Sequence, residues 1–241
     1  MSRTPARGGS QVPSTNPGTR GPRWGRRLAW FMAHVLWSTE VVGVENVPAD
    51  GPVLLAANHT GVIDGPLLMA AAPRPTHVLV KAEAFRGPVG AVLRGAGQIP
   101  VDRDSGRGAL QAALAVLRRG GVVGVFPEGN RGRGDAAAAR PGVAWLALRA
   151  QAPVVPVAVL GTRRTGESVG HIPGLRRRCV VEFGQPIIIE RTDGSTGKAA
   201  TEAANDAIRV ALAELVTSAS ARTGLSLPAD GPAASGTSAS A

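Results

Sequence analysis

The run Leu54-Leu55-Ala56-Ala57-Asn58-His59-Thr60-Gly61-Val62-Ile63-Asp64 sets an imidazole and a carboxylate close together behind an apolar stretch. A carboxylate on one ring nitrogen of histidine fixes the tautomer and stabilises the imidazolium. The other nitrogen is then a general base near neutral pH. Val53–Ala57 reads as a buried strand, and Gly61 permits a sharp turn, so the pair is expected at a strand end. A His-Asp pair at this spacing also serves as an ordinary satisfied turn. Its meaning depends on what accompanies it.

Four further segments accompany it. Lys81-Ala82-Glu83 follows the strand-like run His77–Val80. Gly97-Gln98-Ile99-Pro100-Val101-Asp102-Arg103 leads into a helical pattern. Phe126-Pro127-Glu128-Gly129-Asn130-Arg131-Gly132-Arg133-Gly134 follows the strand-like run Val122–Phe126. Val154-Val155-Pro156-Val157-Ala158-Val159 is an apolar strand interrupted by one proline. Ligands of open α/β sheets bind outside the carboxyl ends of the strands. His, Lys, Arg and Glu at several such ends therefore describe one site. Lys81 or Arg131 alone would read as a solvated charge, and Glu83 and Asp102 read as structural partners of nearby arginines. Glycines around Arg131 and Arg133 suggest a loop that is mobile before ligand binds.

The elements that must position these groups alternate. Strands are expected at Val53–Ala57, His77–Val80, Val122–Phe126, Val154–Leu160 and Val180–Phe183. Gly108–Arg119 carries Leu110, Ala113, Leu114 and Leu117 on one helical face, and Gly120-Gly121 stops it. Val143–Arg149 and Lys198–Thr217 are further helices. Strand–helix alternation implies an α/β fold, one domain with a largely parallel central sheet flanked by helices, and no internal repeat is visible. The domain is expected over 23–220. Residues 1–22 and 221–241 are rich in Gly, Pro, Ser and Ala and are expected to be disordered.

Three of the four tryptophans lie in Arg23-Trp24-Gly25-Arg26-Arg27-Leu28-Ala29-Trp30-Phe31-Met32-Ala33-His34-Val35-Leu36-Trp37. Its apolar run falls short of the ~20 residues a spanning helix needs. No small-residue cleavage site follows, which argues against a signal peptide. An Arg-led helix with Trp and Phe over 23–40 fits an amphipathic helix lying in a membrane interface; a helix packed on the core is the alternative.

The 241 residues are 44% apolar but only 3% aromatic, with no Tyr, so aliphatic side chains must fill the core. A net charge of +10 predicts an anionic partner. Without a nucleic-acid-binding module or exposed aromatic platforms, nucleic acid is not expected. Cys179 is the single cysteine, so no internal disulfide forms. His34, His77 and His171 read as packing or structural residues. Gly166-Glu167-Ser168-Val169-Gly170 matches the serine-hydrolase elbow, but no helix can start cleanly at His171-Ile172-Pro173-Gly174. Arg133-Gly134-Asp135 carries no adhesion signal. Arg176-Arg177-Arg178 is a basic cluster suited to lipid phosphates or to solvent. No His/Cys cluster has metal-ligand spacing.

The ordered blocks Asn58-His59…Asp64, Gly97…Arg103, Phe126-Pro127-Glu128-Gly129-Asn130-Arg131 and Val155-Pro156-Val157 resemble those of the glycerolipid acyltransferase family, which contains the lysophosphatidic acid acyltransferases. The resemblance runs from about Gly43 to Phe183, including Gly43-Val44-Glu45-Asn46-Val47-Pro48. It implies that His59 takes the proton of a glycerol hydroxyl attacking a thioester, with Asp64 orienting it and no covalent acyl-enzyme. Arg103, Arg131 and Lys81 would hold the acceptor phosphate, and Asn58, Glu128 and Gly129 would complete acceptor binding. Asn130 stands where Thr is usual and Gly132 where Ser is common, which bears on acceptor choice.

The implied function is acyl transfer from acyl-CoA or acyl carrier protein to a lysophospholipid, with lysophosphatidic acid giving phosphatidic acid first among the acceptors. No resident cofactor or metal is implied, and the expected location is peripheral, on the cytoplasmic face of the cell membrane. Another lysolipid or alcohol acceptor, or a non-catalytic lipid-phosphate-binding protein on the same scaffold, are the alternatives.

Overall fold

The computed structural model describes residues 18, 21–102, 106–137, 139–190 and 196–230. Seven strands form one sheet: β1 (Ser38–Val42), β2 (Val53–Ala57), β3 (Thr76–Lys81), β4 (Ile99–Val101), β5 (Val122–Val125), β6 (Val154–Leu160) and β7 (Arg178–Phe183). Their order is β1-β7-β6-β2-β5-β3-β4. The five strands from β6 to β4 run parallel. β7 pairs antiparallel with β6, Leu160 opposite Val180, and β1 follows β7 in parallel. The largely parallel α/β sheet expected from the strand–helix alternation is the sheet observed.

Every residue of β2, β5 and β6 is buried, because helices cover both faces. Alternate side chains divide between two cores. Leu55, Ala57, Val155 and Val157 pack with α1 (Gly21–Phe31) and α2 (Asp64–Ala71). Leu54, Ala56, Val123 and Val125 pack beneath α4 (Gly106–Arg118), α5 (Gly142–Ala150) and α6 (Gly197–Thr223). Aliphatic side chains fill both cores, and Phe183 and Trp37 are the large rings buried among them.

Pro156 sits in a central strand, where a missing donor should break a ladder. Its carbonyl accepts from Gly184 N–H at 2.9 Å, so its nitrogen faces the same side, towards the point where β7 has already ended. Pairing with β2 on the other side continues through Ala56 and Ala57.

The amino-terminal helix is packed in an unusual sense. It buries Pro22, Gly25 and Ala29, and Ala33 of the π-helical turn Met32–Leu36 that continues it. Gly25 lies so close to Ala96 and Met69 that a Cβ there would come within 2.8 Å of the Ala96 methyl. Leu28, Trp30, Phe31 and Val35 face outward, whereas the part-exposed Trp24 lies against Gly95 and donates from Nε1 to its carbonyl at 3.1 Å. A helix stabilised by packing alone would bury its large apolar residues and show its small ones; this one does the reverse.

Several boundaries differ from those expected. The first helix begins at Gly21 and gives way to β1 at Ser38, so it does not reach residue 40. α2 and α3 (Gly87–Gly95) were not anticipated. α6 runs beyond residue 220 to Thr223, and residues 224–230 pack back on the domain: Leu225 and Leu227 join an apolar cluster with Leu160, Val180 and Leu212, and Asp230 pairs with Arg163. Residues 1–17, 19, 20 and 231–241, for which disorder was expected, lie outside the described residues. Among the described residues no helix is long and apolar enough to cross a membrane.

Candidate active site

The connections leave β2 and β5 in opposite directions, to β3 and to β6, so the carboxyl ends of β2, β5 and β6 frame one crevice. His59 follows β2, and Asp64 opens α2 after a short turn that contains Gly61. His59 Nδ1 lies 2.8 Å from Asp64 Oδ2. The same oxygen accepts from the backbone N–H groups of Thr60 at 2.7 Å and Gly61 at 2.8 Å. With Oδ2 fixed as an acceptor, Nδ1 must carry the hydrogen, and Nε2 presents its lone pair. Asp64 is fully buried, whereas the His59 side chain keeps 16% exposure. The imidazole stacks on Phe126 with centroids 4.1 Å apart, which sets its plane. Nε2 makes no hydrogen bond to a described residue. A ring so held is able to accept a proton from a hydroxyl above the crevice.

The loop after β5 locks on to the same turn. Glu128 Oε1 accepts from His59 N–H at 3.1 Å, and Gly132 N–H donates to the His59 carbonyl at 2.9 Å. Gly129, at φ +71°, has the Arg140 side chain lying across it where any Cβ would collide. Lys81 Nζ reaches Asn130 Oδ1 at 2.7 Å, and Arg131 donates to the Val169 carbonyl at 3.1 Å. The loop expected to be mobile is thus tethered on several sides.

Burial pushes the Glu128 carboxyl up to about 7, helped by the nearby charges of Asp135 and Asp64, while N–H groups of His59 and Gly134 pull the other way. The folded state holds the proton more tightly than the unfolded chain, so this group withdraws stability as pH rises from about 4.5 to about 7. Glu128→Gln keeps an oxygen for the His59 N–H and removes the titration. Measured by denaturant unfolding, the variant's stability relative to wild type is expected to improve by about 2 kcal/mol between pH 5 and pH 8. A pH-independent difference would contradict the assigned environment.

Of the site residues expected from sequence, His59, Asp64, Glu128 and Gly129 converge at this crevice, and Lys81 and Arg131 tether its rim. Asn58, expected at the acceptor, is turned into the protein. It is fully buried, its Oδ1 accepting from Val159 N–H at 2.7 Å and its Nδ2 donating to the Val159 carbonyl at 3.2 Å. It fastens β2 to β6 directly beneath His59. Arg103 lies outside the described residues. His77 is structural as expected, bonded to the Gly97 carbonyl at 2.7 Å, and His34 stacks on Trp30.

Three contributors were missed. Thr60 and Thr162 share a buried hydroxyl contact at 2.8 Å. Arg163 is buried after β6, donating to the Gly132 carbonyl at 3.0 Å, the Glu167 carbonyl at 3.0 Å and Asp230 Oδ1 at 3.1 Å. It was legible in principle, being the first charge after a wholly apolar strand, the criterion that picked out Lys81. Among the described residues no group of three or more His, Cys, Asp or Glu is placed to hold a metal ion.

Known proteins share both the sequence pattern and the fold of this chain. Residues 38–160 match the family model described as Acyltransferase. The 1-acyl-sn-glycerol-3-phosphate acyltransferase of Bacillus subtilis (strain 168) is 33% identical over 125 residues, covering 51% of this chain and 62% of that protein. The protein of the same name from Borreliella burgdorferi is 35% identical over 127 residues, covering 51% of each. The chain thus spans about half to three-fifths of the length of these curated relatives. The crystal structure of the 1-acyl-sn-glycerophosphate (LPA) acyltransferase from Thermotoga maritima shares the fold, with a TM-score of 0.59 at 22% identity over 81% of this chain and 78% of that chain. The family match takes in His59, Asp64, the Glu128-Gly129 loop and the strand through Pro156, and the chain belongs to the glycerolipid acyltransferase family.

Proposed function

We propose that this chain transfers a fatty acyl group from acyl-CoA or acyl carrier protein to the free hydroxyl of a lysophospholipid, with 1-acyl-sn-glycerol-3-phosphate, giving phosphatidic acid, as the first-choice acceptor. The observation that carries this reading is the His59–Asp64 pair, with Nε2 free and Nδ1 held. His59 Nε2 takes the hydroxyl proton as the oxygen attacks the thioester carbonyl. Asp64 stabilises the imidazolium that forms. The tetrahedral intermediate expels the thiolate, which recovers the proton from His59, so protons balance without an acyl-enzyme or a resident cofactor.

Arg131, Arg103 and Lys81 are assigned to the acceptor phosphate, because guanidinium and ammonium groups pair with its oxygens. Glu128 is assigned to the acceptor side of the crevice, where its raised protonation lets it donate to or accept from a glycerol oxygen. Asn58 acts through His59 as a positioning residue. The outward-facing Leu28, Trp30, Phe31 and Val35, with Arg23, Arg26 and Arg27 on the same helix, suit the interface of an anionic membrane. Because acyl-CoA and acyl carrier protein are cytoplasmic donors, the cytoplasmic face is the location proposed.

The test is thiol release from palmitoyl-CoA, and from palmitoyl-acyl carrier protein, with lysophosphatidic acid and with other lysolipids in turn. The expected result is acceptor-dependent release fastest with lysophosphatidic acid. A faster rate with another lysolipid would reassign the acceptor and direct attention to Asn130 and Gly132. Release indifferent to every acceptor would overturn the transferase reading.

A further inference from the structure

The segment between β6 and β7 exposes two large aliphatic side chains, Ile172 at 68% and Leu175 at 77%. It is a braced structure. Trp37 Nε1 donates to the Pro173 carbonyl at 3.0 Å, and Arg176 N–H donates to the Leu36 carbonyl at 2.7 Å. His171 N–H closes a turn on Ser168 at 2.9 Å, and Arg177 pairs with Glu167. Arg176 adopts φ +60°, a conformation costly for a residue with a Cβ. A loop held this firmly displays Ile172 and Leu175 instead of folding them inward.

Its place in the fold gives the display a use. Leu160 at the end of β6 lies opposite Val180, so residues 161–177 sit at the carboxyl end of the central strands, the end that carries His59. Arg131 reaches the Val169 carbonyl from the Glu128 loop. The loop also continues an apolar stripe. Leu28, Phe31 and Val35 recur at helical spacing on the outer side of the first helix and its π-helical extension. The last turn of that extension is Leu36, the residue bonded to Arg176. Arg164 and Arg176, both exposed, flank the aliphatic tip.

We propose that residues 164–178 form a second membrane anchor, in which Ile172 and Leu175 insert into an anionic bilayer while Arg164 and Arg176 contact its headgroups. With the first helix as the other anchor, the crevice opens at the lipid surface, and an acceptor reaches His59 without leaving the bilayer. The purpose of this anchor rests on the lipid acceptor proposed above, but the binding itself is tested apart from it.

The experiment is sedimentation of the full chain with vesicles of phosphatidylcholine plus phosphatidylglycerol and with vesicles of phosphatidylcholine alone. Ile172→Asp with Leu175→Asp is expected to weaken partition to the mixed vesicles about tenfold or more, since each side chain loses apolar burial and gains a charge facing anionic lipid. Ile188→Asp is the control. Ile188 is equally exposed at 66%, but it adjoins Ile187, which bridges to Val154 at the amino end of β6, the far end of the sheet. It is expected to partition as wild type does. Arg164→Gln with Arg176→Gln is expected to reduce the preference for the mixed vesicles. Wild-type partition by the Ile172/Leu175 variant, or an equal loss in Ile188→Asp, would overturn the proposal. Acyl transfer to a short-chain, monomeric lysolipid, followed in parallel, is expected to be unchanged in the Ile172/Leu175 variant. If wild type transfers to no acceptor, the functional reading fails, while the vesicle measurement still decides the anchor.

Discussion

Asp64→Asn is expected to slow acceptor-dependent acyl transfer by about 100- to 1,000-fold with the fold intact. The geometry separates charge from orientation here. All three donors, His59 Nδ1, Thr60 N–H and Gly61 N–H, converge on Oδ2, while Oδ1 is buried without a partner. An asparagine turns its amide oxygen to the position of Oδ2 and keeps those bonds. What it loses is the negative charge that stabilises the imidazolium as the proton arrives. Steady-state rates beside a thermal unfolding curve check this. A nearly unchanged rate would mean that Asp64 only shapes the turn.

The second large effect is on stability. Asn58→Leu is expected to destabilise the domain by about 3 kcal/mol, because it strands the buried N–H and carbonyl of Val159 with no replacement partner. Denaturant unfolding measures the loss. Transfer rates should fall with the shape of the crevice, since the β2–β6 tie lies beneath His59, while the acceptor KM of the folded fraction stays close to wild type. A stable variant with a raised acceptor KM would instead assign Asn58 to substrate.

What the sequence made legible followed from periodicity and from strand ends. β2, β5 and β6 are apolar runs, interrupted only by Pro156 in β6, because both faces of the sheet are covered, and α4 shows a clean apolar stripe because it is covered on one side only. α2 was invisible for the opposite reason. From Leu67 to Ala71 every residue is buried, so no helical period survives in the apolar pattern. α3 begins at Gly87-Pro88 and leaves Val89 and Val92 exposed, which also erases the usual signal.

In the site, spacing located the His59–Asp64 pair but not the duty of Asn58, whose partner lies 101 residues further along. Arg163 was overlooked because its carboxylate partner, Asp230, is in a segment whose Ala/Ser/Gly/Pro composition suggested no packing. Leu225 and Leu227 pack that segment against the domain, and Asp230 ties it to Arg163. The large exposed residues of the first helix were readable as amphipathic, but only its packing shows that small residues are the ones turned inward.

The most direct test of the central claim compares wild type with His59→Ala for thiol release from palmitoyl-CoA in the presence and absence of lysophosphatidic acid. The account predicts acceptor-dependent release in wild type and a loss of about 100- to 10,000-fold in the variant, with unfolding and vesicle binding unchanged. Release that persists in His59→Ala at the wild-type rate would contradict it, because the proton of the attacking hydroxyl is assigned to His59 Nε2.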